Sequence, residues 1–442
     1  MKKTVALFLL LCTLLPLAAC SSGLETVPAD TGSDASAPAE QKQEITYSVP
    51  SPLTWDAINA IPVATSDMTS DQLRKICVDY FRLQTSFQWT PNKNFSYIIR
   101  SGNSERKFQP GKIYGGIPYV TSSKGGGNLY LWMEHYDEKT GVLDLSKMSG
   151  QDLMDLLGNH CAHGAFWGWT RVVNSAEIRG TRTLSHKNGC LAVGPYEFDP
   201  ELEEYSTEDP EKGTDKVCKK NGEQMMFQSY AKLLPADGIN ATHTGNWHVR
   251  MISQAAHVEY RGDGTIDGEK SYVLCIEQAS GPKEYTCPDG TVAQIMSCVD
   301  KKYSFASLFK SGYIPFTFAE FLGTDPVEPA EVTLALDQST VTAEMLQGAT
   351  VSSNYSISHV TVRALDDKGE VLYRYVKKFV PSDTGGNAII CTGLSMEKAV
   401  IPATLNRFAD KDEVTIQVLC RISNGEEPVI WEGKLTKSIN ER

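Results

Sequence analysis

The sequence predicts an α+β domain followed by a small all-β sandwich domain. Apolar residues recur at helical spacing in the first part of the chain, and short β-rich runs separated by turns follow up to residue 278. Near Asp325–Pro329 the composition changes. Beyond it, apolar and polar residues alternate in short segments, as in an Ig-like sandwich. These observations place the first domain at 49–324 and the second at 325–442.

Size and charge restrict the classes of function. The chain has 442 residues, which suffices for two or three domains, and its net charge is -12 at pH 7. No stretch is basic enough to form a nucleic-acid surface, so we expect no nucleic-acid partner. A hydrophobic fraction of 41% indicates that the chain can build packed cores.

The N-terminus carries an export signal. Two lysines precede an apolar run at 5–15 that is too short for a permanent membrane helix. The run leads to Leu17-Ala18-Ala19-Cys20, which resembles a bacterial lipobox. The resemblance implies removal of residues 1–19 and lipidation of Cys20, which would anchor the exported protein at the extracytoplasmic face of the cell membrane. The alternative is an ordinary cleaved secretory signal.

A tether and a helix are predicted next. Residues 20–48 are rich in serine, alanine, acidic residues and proline without periodicity, which is typical of a flexible, disordered tether. From Thr69 onward the pattern is helical, with apolar residues at Leu73, Ile76, Cys77, Tyr80 and Phe81. Cys77 is therefore expected in the core.

Further elements lead to the first clear strands. A turn at 111–119 precedes a helix over Asn128–Tyr136 and another over Gln151–Leu157, which Ser149 would cap. Strands are predicted at Met225–Leu234, Trp247–Ile252, Ala256–Tyr260 and Ser271–Gln278. Their spacing is typical of an antiparallel meander.

The segment from Gly158 to Val172 reads as a loop that enters a buried helix. Its bulky apolar residues fall on one helical face, and Asn159 is a candidate N-cap. This places the sulfur of Cys161 in or next to the first helical turn. Unpaired N–H groups and the helix dipole favour a thiolate there, so Cys161 is a candidate nucleophile.

A nucleophilic thiolate needs an imidazole and a third group that orients the ring. His248 lies near the start of a predicted strand, on the face that also carries Arg250. Glu277 and Gln278 end the next clear strand, and either side chain could accept a hydrogen bond from the ring.

Five short motifs follow one another along the chain, and their order is more informative than any one of them: Tyr114-Gly115-Gly116, Cys161-Ala162-His163-Gly164-Ala165-Phe166-Trp167, Leu233-Leu234-Pro235-Ala236-Asp237, His248-Val249-Arg250-Met251-Ile252 and Ile276-Glu277-Gln278. In this order the chain resembles, over about 70–300, the NlpC-type and CHAP-type cysteine peptidases and amidases, which have a papain-like fold and cut peptides of the bacterial cell wall. The resemblance implies that Cys161 is the nucleophile, His248 the base and Glu277 (or Gln278) the orienting residue. Tyr114 would line the site near the thiol.

The chain departs from the family at three places. His160 and Ala162 stand where the family usually has aspartate and serine beside the cysteine. The sequence Pro235-Ala236-Asp237-Gly238 replaces the usual Pro-Gly-Asp turn. The spacing from the cysteine to the histidine is also longer than usual, which indicates an insertion at about 174–222.

The same residues also have structural interpretations. Cys161 could be a buried core cysteine, and Trp167 is more typical of a core than of a sugar-stacking platform. His160 and His163 would suit zinc, but no third ligand follows at helical spacing, so we expect no metal or other cofactor. His163 is then either a polar surface residue or, like Trp167 and Gln278, a candidate for lining the site.

Eleven cysteines occur in the chain, and loss of Cys12 with the signal and lipidation of Cys20 leave nine. An odd number outside the cytoplasm means that at least one is unpaired, and Cys161 is the candidate. Four others lie in polar, loop-like sequence and could form disulfides: Cys190, Cys218, Cys287 and Cys298.

Together these features predict a cell-envelope lipoprotein hydrolase that cleaves peptide or amide bonds of peptidoglycan by a Cys-His-Glu thiol mechanism. Its partners would be peptidoglycan peptides and, through the N-terminal lipid, the membrane. The second domain would pack on the first or bind a protein or glycan. The alternative is a non-catalytic envelope binding lipoprotein that uses the same fold as a ligand cleft.

Overall fold

The computed structural model describes residues 52–99, 104–120, 126–146, 148, 157–174, 180–286, 290–378 and 392–437. The predicted signal, the tether, Cys20 and Ser149 lie outside these residues. Within them the protein is a mixed α and β structure in which sheet predominates. No helix in these ranges is long and apolar enough to cross a membrane.

Helices and strands are interspersed through the first part of the chain. Its helices are α1 (Trp55–Asn59), α2 (Ser70–Ser86), α3 (Leu129–Met133), α4 (Cys161–Trp169), α5 (Thr214–Asn221), α6 (Glu223–Tyr230), α7 (Phe305–Lys310) and α8 (Ala319–Leu322). Its strands are β1 (Gln88–Pro91), β2 (Phe95–Ile99), β3 (Ser104–Phe108), β4 (Ile113–Gly115), β5 (Tyr136–Asp137), β6 (Val142–Leu143), β7 (Leu191–Ala192), β8 (Gly238–His243), β9 (Asn246–His257), β10 (Tyr272–Thr286), β11 (Val292–Ser304) and β12 (Ile314–Thr317).

One ten-stranded sheet organises this part of the chain. Its strand order is β5-β6-β1-β4-β11-β10-β9-β8-β12-β7, and β8 to β11 form an antiparallel meander. Neighbouring residues of a strand point to opposite faces, and here they enter different cores. Met251 and Ile276 pack with α2 and α4, whereas Ile252 and Cys275 pack with α5, α6 and α7. The sheet is thus covered by helices on both faces.

Helix α2 confirms the helical pattern that begins at Thr69. The Thr69 side chain accepts a hydrogen bond from the backbone of Gln72, whose side chain in turn accepts one from the backbone of Thr69. This reciprocal cap fixes the start of the helix. The predicted apolar face is buried, and Cys77 is fully enclosed. Burial raises the pKa of the Cys77 thiol, as expected for an inert core cysteine.

The strand predicted at Met225–Leu234 is wrong. This segment forms helix α6 and the turn after it. Gly222, with φ of +76°, ends α5 and starts α6. Met226, Phe227 and Tyr230 then fall on one helical face and are buried. Three large apolar residues at this spacing favour a helix when a core lies beside them.

The predicted insertion is folded over its described residues. Strand β7 extends the large sheet at one edge by pairing with β12, and α5 packs against β8. Cys190 and Cys218 are buried free thiols, and they lie in different cores: Cys190 in the core around α2 and α4, and Cys218 in the core around α5, α6 and α7. The structure therefore contradicts disulfides at Cys190 and Cys218. Cys298 is buried as well. Cys287 lies outside the described residues.

The C-terminal part builds two small sheets around one core. Its strands are β13 (Val332–Leu334), β14 (Thr340–Val341), β15 (Thr350–Ser353), β16 (Ile357–Leu365), β17 (Val371–Lys378), β18 (Gly393–Ser395), β19 (Thr415–Ile422) and β20 (Val429–Leu435). Short helices α9 (Ala343–Gly348) and α10 (Pro402–Leu405) lie among them. The sheet orders are β13-β15-β18 and β14-β20-β19-β16-β17. Buried residues from both sheets form a single cluster, as in two sheets packed together.

Candidate active site

Helix α4 begins at Cys161 and places its thiol in the first turn. The N-cap is His160, whose Nδ1 accepts a hydrogen bond from the His163 N–H at 3.5 Å, and not Asn159. Asn159 is instead buried one residue earlier, where its Nδ2 donates to the Gly127 carbonyl at 2.6 Å. The side chain of Asn159, which the sequence predicts as the N-cap, is therefore hydrogen-bonded to a loop instead. Cys161 itself is only 2% exposed.

Two glycines let α4 lie close to its neighbours. A Cβ at Gly164 would lie 2.4 Å from Oε1 of Gln278, and one at Gly168 would lie 2.8 Å from Cε of Met251. Both positions also face Phe81 of α2. Side chains at these positions would push the helix away from the sheet, and with it the thiol of Cys161.

His248 on β9 connects the thiol with a carboxylate on the next strand. Its Nε2 lies 2.7 Å from Oε2 of Glu277 on β10. Because Nε2 is engaged there, Nδ1 is the ring nitrogen left for Cys161, whose side chain is also hydrogen-bonded to the ring. His248 is 8% exposed and Glu277 is 2% exposed. A helix terminus and two adjacent strands thus bring together the three residues that the sequence singled out.

Electrostatics favour a charged ring and a charged carboxylate. Burial by itself lowers the pKa of His248, but the charge and hydrogen bond of Cys161 and the hydrogen bond to Glu277 outweigh burial. The pKa of His248 is therefore raised from its ordinary 6.5. Burial alone would raise the pKa of Glu277, yet the charge of Arg250 and the hydrogen bond from His248 hold it well below its usual range. Both shifts favour the charged pair that a thiol mechanism uses.

Glu277 has further partners. Arg250 Nε donates to Oε2 at 2.6 Å, and Lys301 Nζ lies 3.1 Å from Oε1. The Tyr303 hydroxyl also donates to Oε1. Lys301 and Tyr303 were missed in the sequence because they lie on β11, beyond the predicted meander. Their spacing of two, which puts both on one face of a strand, was the available signal.

The remaining candidates occupy other places. Gln278 points away from His248 and donates through Nε2 to the Ile117 carbonyl at 2.6 Å. Tyr114 is buried against Trp89, with ring centroids 5.0 Å apart, and its hydroxyl accepts from the Gln109 N–H at 2.9 Å. Its contacts are therefore those of an aromatic core residue.

Trp167 and His163 of α4 are also enclosed. Trp167 is buried, in agreement with its core interpretation. His163 is buried too and stacks on the His160 ring with centroids 3.7 Å apart, so the interpretation of His163 as a surface residue is wrong. In the described parts of the chain, no group of three or more His, Cys, Asp or Glu is arranged to hold a metal ion.

No protein-family model, no curated protein and no solved structure matches this chain. The resemblance to the NlpC-type and CHAP-type enzymes therefore rests on its short motifs. Function has to be argued from the geometry of the site, since a fold by itself does not determine function.

Proposed function

We propose that the protein is an exported, lipid-anchored cysteine hydrolase that cleaves peptide or amide bonds of peptidoglycan. In this proposal the first domain is papain-like and the second is an Ig-like sandwich. One observation carries it: the imidazole of His248 is hydrogen-bonded to Cys161 on one side and to Glu277 on the other. This is the order of nucleophile, base and orienting group that thiol hydrolysis requires.

The acylation step follows from this geometry. The Cys161 thiolate attacks the carbonyl carbon of the scissile bond and forms a C–S bond. As the C–N bond breaks, Nδ1 of the His248 imidazolium gives its proton to the leaving amine. Glu277 stays ionised throughout and keeps Nδ1 directed at the thiol by holding Nε2.

Deacylation returns the site to its starting state. The neutral His248 ring takes a proton from water, and the resulting hydroxide attacks the thioester carbon. The C–S bond breaks, the carboxylic acid leaves, and the thiolate and imidazolium are restored. The chemistry of these residues calls for no metal or other cofactor.

The substrate class and location come from the N-terminal sequence and the motif resemblance. A lipid on Cys20 and the tether at 20–48 would hold the hydrolase at the extracytoplasmic face of the membrane, within reach of peptidoglycan peptides. The second domain would then contact the first domain, another protein or a glycan.

The proposal is tested with purified protein and soluble peptidoglycan fragments. We expect new amino and carboxyl ends by mass spectrometry, and none with Cys161→Ala or His248→Ala. Cys77→Ala is the matched control, because Cys77 is a buried thiol on α2 and is not one of the three proposed catalytic residues. Turnover that persists in Cys161→Ala would exclude this mechanism, and a fragment that binds without turnover would also count against it.

Burial of the site favours a second candidate, the non-catalytic binding lipoprotein. Cys161 is 2% exposed and His248 is 8% exposed, so a substrate carbonyl reaches the sulfur only if neighbouring groups move. In a binding protein the same enclosed polar residues would serve structure alone. Binding of fragments with equal affinity by wild type and Cys161→Ala, without products, would support this alternative.

A further inference from the structure

We propose that Arg250 is a positioning residue of this site, which holds Glu277 in one orientation and limits the basicity that Glu277 confers on His248. The inference rests on the proposed thiol chemistry. Its test, however, reads the imidazole directly and does not require turnover.

The first observation is a shared oxygen. Oε2 of Glu277 accepts from Nε2 of His248 at 2.7 Å and from Nε of Arg250 at 2.6 Å. Met251 of β9 pairs with Ile276 of β10, and because the strands are antiparallel, Arg250 before Met251 comes to lie beside Glu277 after Ile276. One carboxylate oxygen thus accepts hydrogen bonds both from a permanent cation, Arg250, and from the imidazole ring of His248.

The second observation is that Arg250 is rigidly held. Its guanidinium carbon lies 3.9 Å from the ring centroid of Tyr303 and 4.3 Å from that of Tyr313. Arg250 is only 9% exposed. A planar, delocalised cation suits this slot between two rings, whereas a lysine ammonium would not stack in the same way.

The third observation is that Glu277 has a second cation. Lys301 and the Tyr303 hydroxyl occupy the other oxygen, Oε1. These donors would keep the carboxylate ionised without Arg250. The main electrostatic effect of Arg250 on His248 is therefore repulsion, because both groups donate to the same carboxylate oxygen and like charges so close together disfavour each other.

This repulsion has a chemical consequence. An imidazole paired only with a buried carboxylate becomes strongly basic, and its protonated form then gives up a proton reluctantly. Acylation requires that proton to reach the leaving amine. By opposing part of the effect of Glu277, Arg250 keeps His248 able to release the proton.

The experiment follows the titration of His248 by NMR in protein carrying labelled histidine. In Arg250→Gln we expect the pKa of His248 to rise by about one unit, as for removal of a nearby like charge. The alkaline limb of kcat/KM should move up with it, and kcat should fall. Arg250→Lys keeps a cation but loses the planar guanidinium that stacks on the rings of Tyr303 and Tyr313. The pKa of His248 should therefore shift in the same direction as in Arg250→Gln, by a smaller amount.

Arg82→Gln is the matched control. Arg82 of α2 forms a two-pronged ion pair with Asp300 of β11, at 2.7 and 2.9 Å, away from Glu277. We expect this variant to leave the His248 titration unchanged. An unchanged or lowered pKa in Arg250→Gln would overturn the proposal. If that variant does not fold, the same outcome in Arg250→Lys would overturn it.

The two proposals fail separately. A raised His248 pKa in the Arg250 variants, without hydrolysis by wild type, would leave Arg250 as a tuning residue and refute the hydrolase. Hydrolysis by the wild type, without any shift of the His248 titration in the Arg250 variants, would support the hydrolase and refute the role of Arg250.

Discussion

Trp169 and Ala236 connect the end of helix α4 to the strands next to it, one of which carries His248. The indole Nε1 of Trp169, the last residue of α4, donates to the Ala236 carbonyl at 2.7 Å. Asp237, the next residue of the same turn, accepts a hydrogen bond from Arg74 of α2 at 2.6 Å. One turn before β8 thus holds both helices that pack on this face of the sheet.

The turn stores backbone strain that a single substitution should release. Ala236 has φ of +66°, in the left-handed region that a side chain disfavours. Ala236 and Ala241 of β8 are both fully buried, so replacement by glycine removes a buried methyl group and adds entropy to the unfolded chain at either position. Only Ala236→Gly also releases strain, so we expect it to lower the unfolding free energy by about 1–2 kcal/mol less than Ala241→Gly does. Denaturant unfolding measures both changes. Equal losses in the two variants would contradict the strain argument.

Reactivity of Cys161 provides a direct test of the thiol–imidazole pair. A free thiol with a pKa of about 8.5 is only a few per cent thiolate at pH 7. Beside a protonated His248 we expect Cys161 to react with iodoacetamide at pH 7, and His248→Ala to slow it by about tenfold or more. Mass spectrometry of the labelled peptides gives the rates. Cys77 serves as the internal comparison, since its thiol is fully buried. Equal labelling of Cys161 with and without His248 would show that no such pair exists.

The pH dependence of activity follows from the raised pKa of His248. The imidazolium persists to higher pH than a free imidazole would, so the alkaline limb of kcat/KM should lie above pH 6.5. Glu277→Gln removes an anion that favours the charged ring, so this limb should move to lower pH and kcat should fall. Initial rates on a peptidoglycan fragment between pH 5 and 9 test both. Movement of the limb to higher pH in Glu277→Gln would contradict the assigned role.

The sequence predicts elements whose signals are local. Helix α2 carries its own cap at Thr69 and its own apolar period, so its start was predicted correctly. The alternation beyond Asp325–Pro329 predicts short strands, and the structure has one at Val371–Lys378, after a turn in which the Gly369 N–H donates to the Asp366 carbonyl. Such elements need little help from the rest of the chain.

Other features depend on contacts that the sequence does not show. The choice between Glu277 and Gln278 is decided by the register of β9 and β10, because neighbouring residues point to opposite faces. Helix α6 was predicted as a strand because its aromatic and apolar residues suit either structure until a core lies beside it. The N-cap is His160 and not the predicted Asn159, because the Asn159 side chain is hydrogen-bonded to the loop at Gly127.

The C-terminal part of the chain contacts helix α4 at the end opposite Cys161. Ser423, after β19, donates to the carbonyl of Thr170, which ends α4, at 3.2 Å. Gly425 follows with φ of +108°, and a Cβ there would lie 2.1 Å from Nη1 of Arg171. That guanidinium cannot retreat easily, because Arg171 is buried and donates to the Ile61 and Pro62 carbonyls and the Tyr130 hydroxyl.

A substitution at Gly425 should therefore act through the contact between domains. We expect Gly425→Ala to cost about 2–4 kcal/mol of unfolding free energy, from the disfavoured φ and the clash with Arg171 together. Gly369→Ala is a matched control in the same domain, since Gly369 has φ of +82° and no atom within 4 Å of its added Cβ. That variant should lose only the backbone part, about 1–2 kcal/mol.

Two further measurements separate docking from stability alone. If the second domain holds α4 in place, Gly425→Ala should expose the connection around 325–331 to proteolysis and slow alkylation of Cys161 at pH 7. Gly369→Ala should leave both unchanged. Equal losses in the two variants would mean that the contact with Arg171 contributes nothing, and that the second domain lies beside α4 without positioning it.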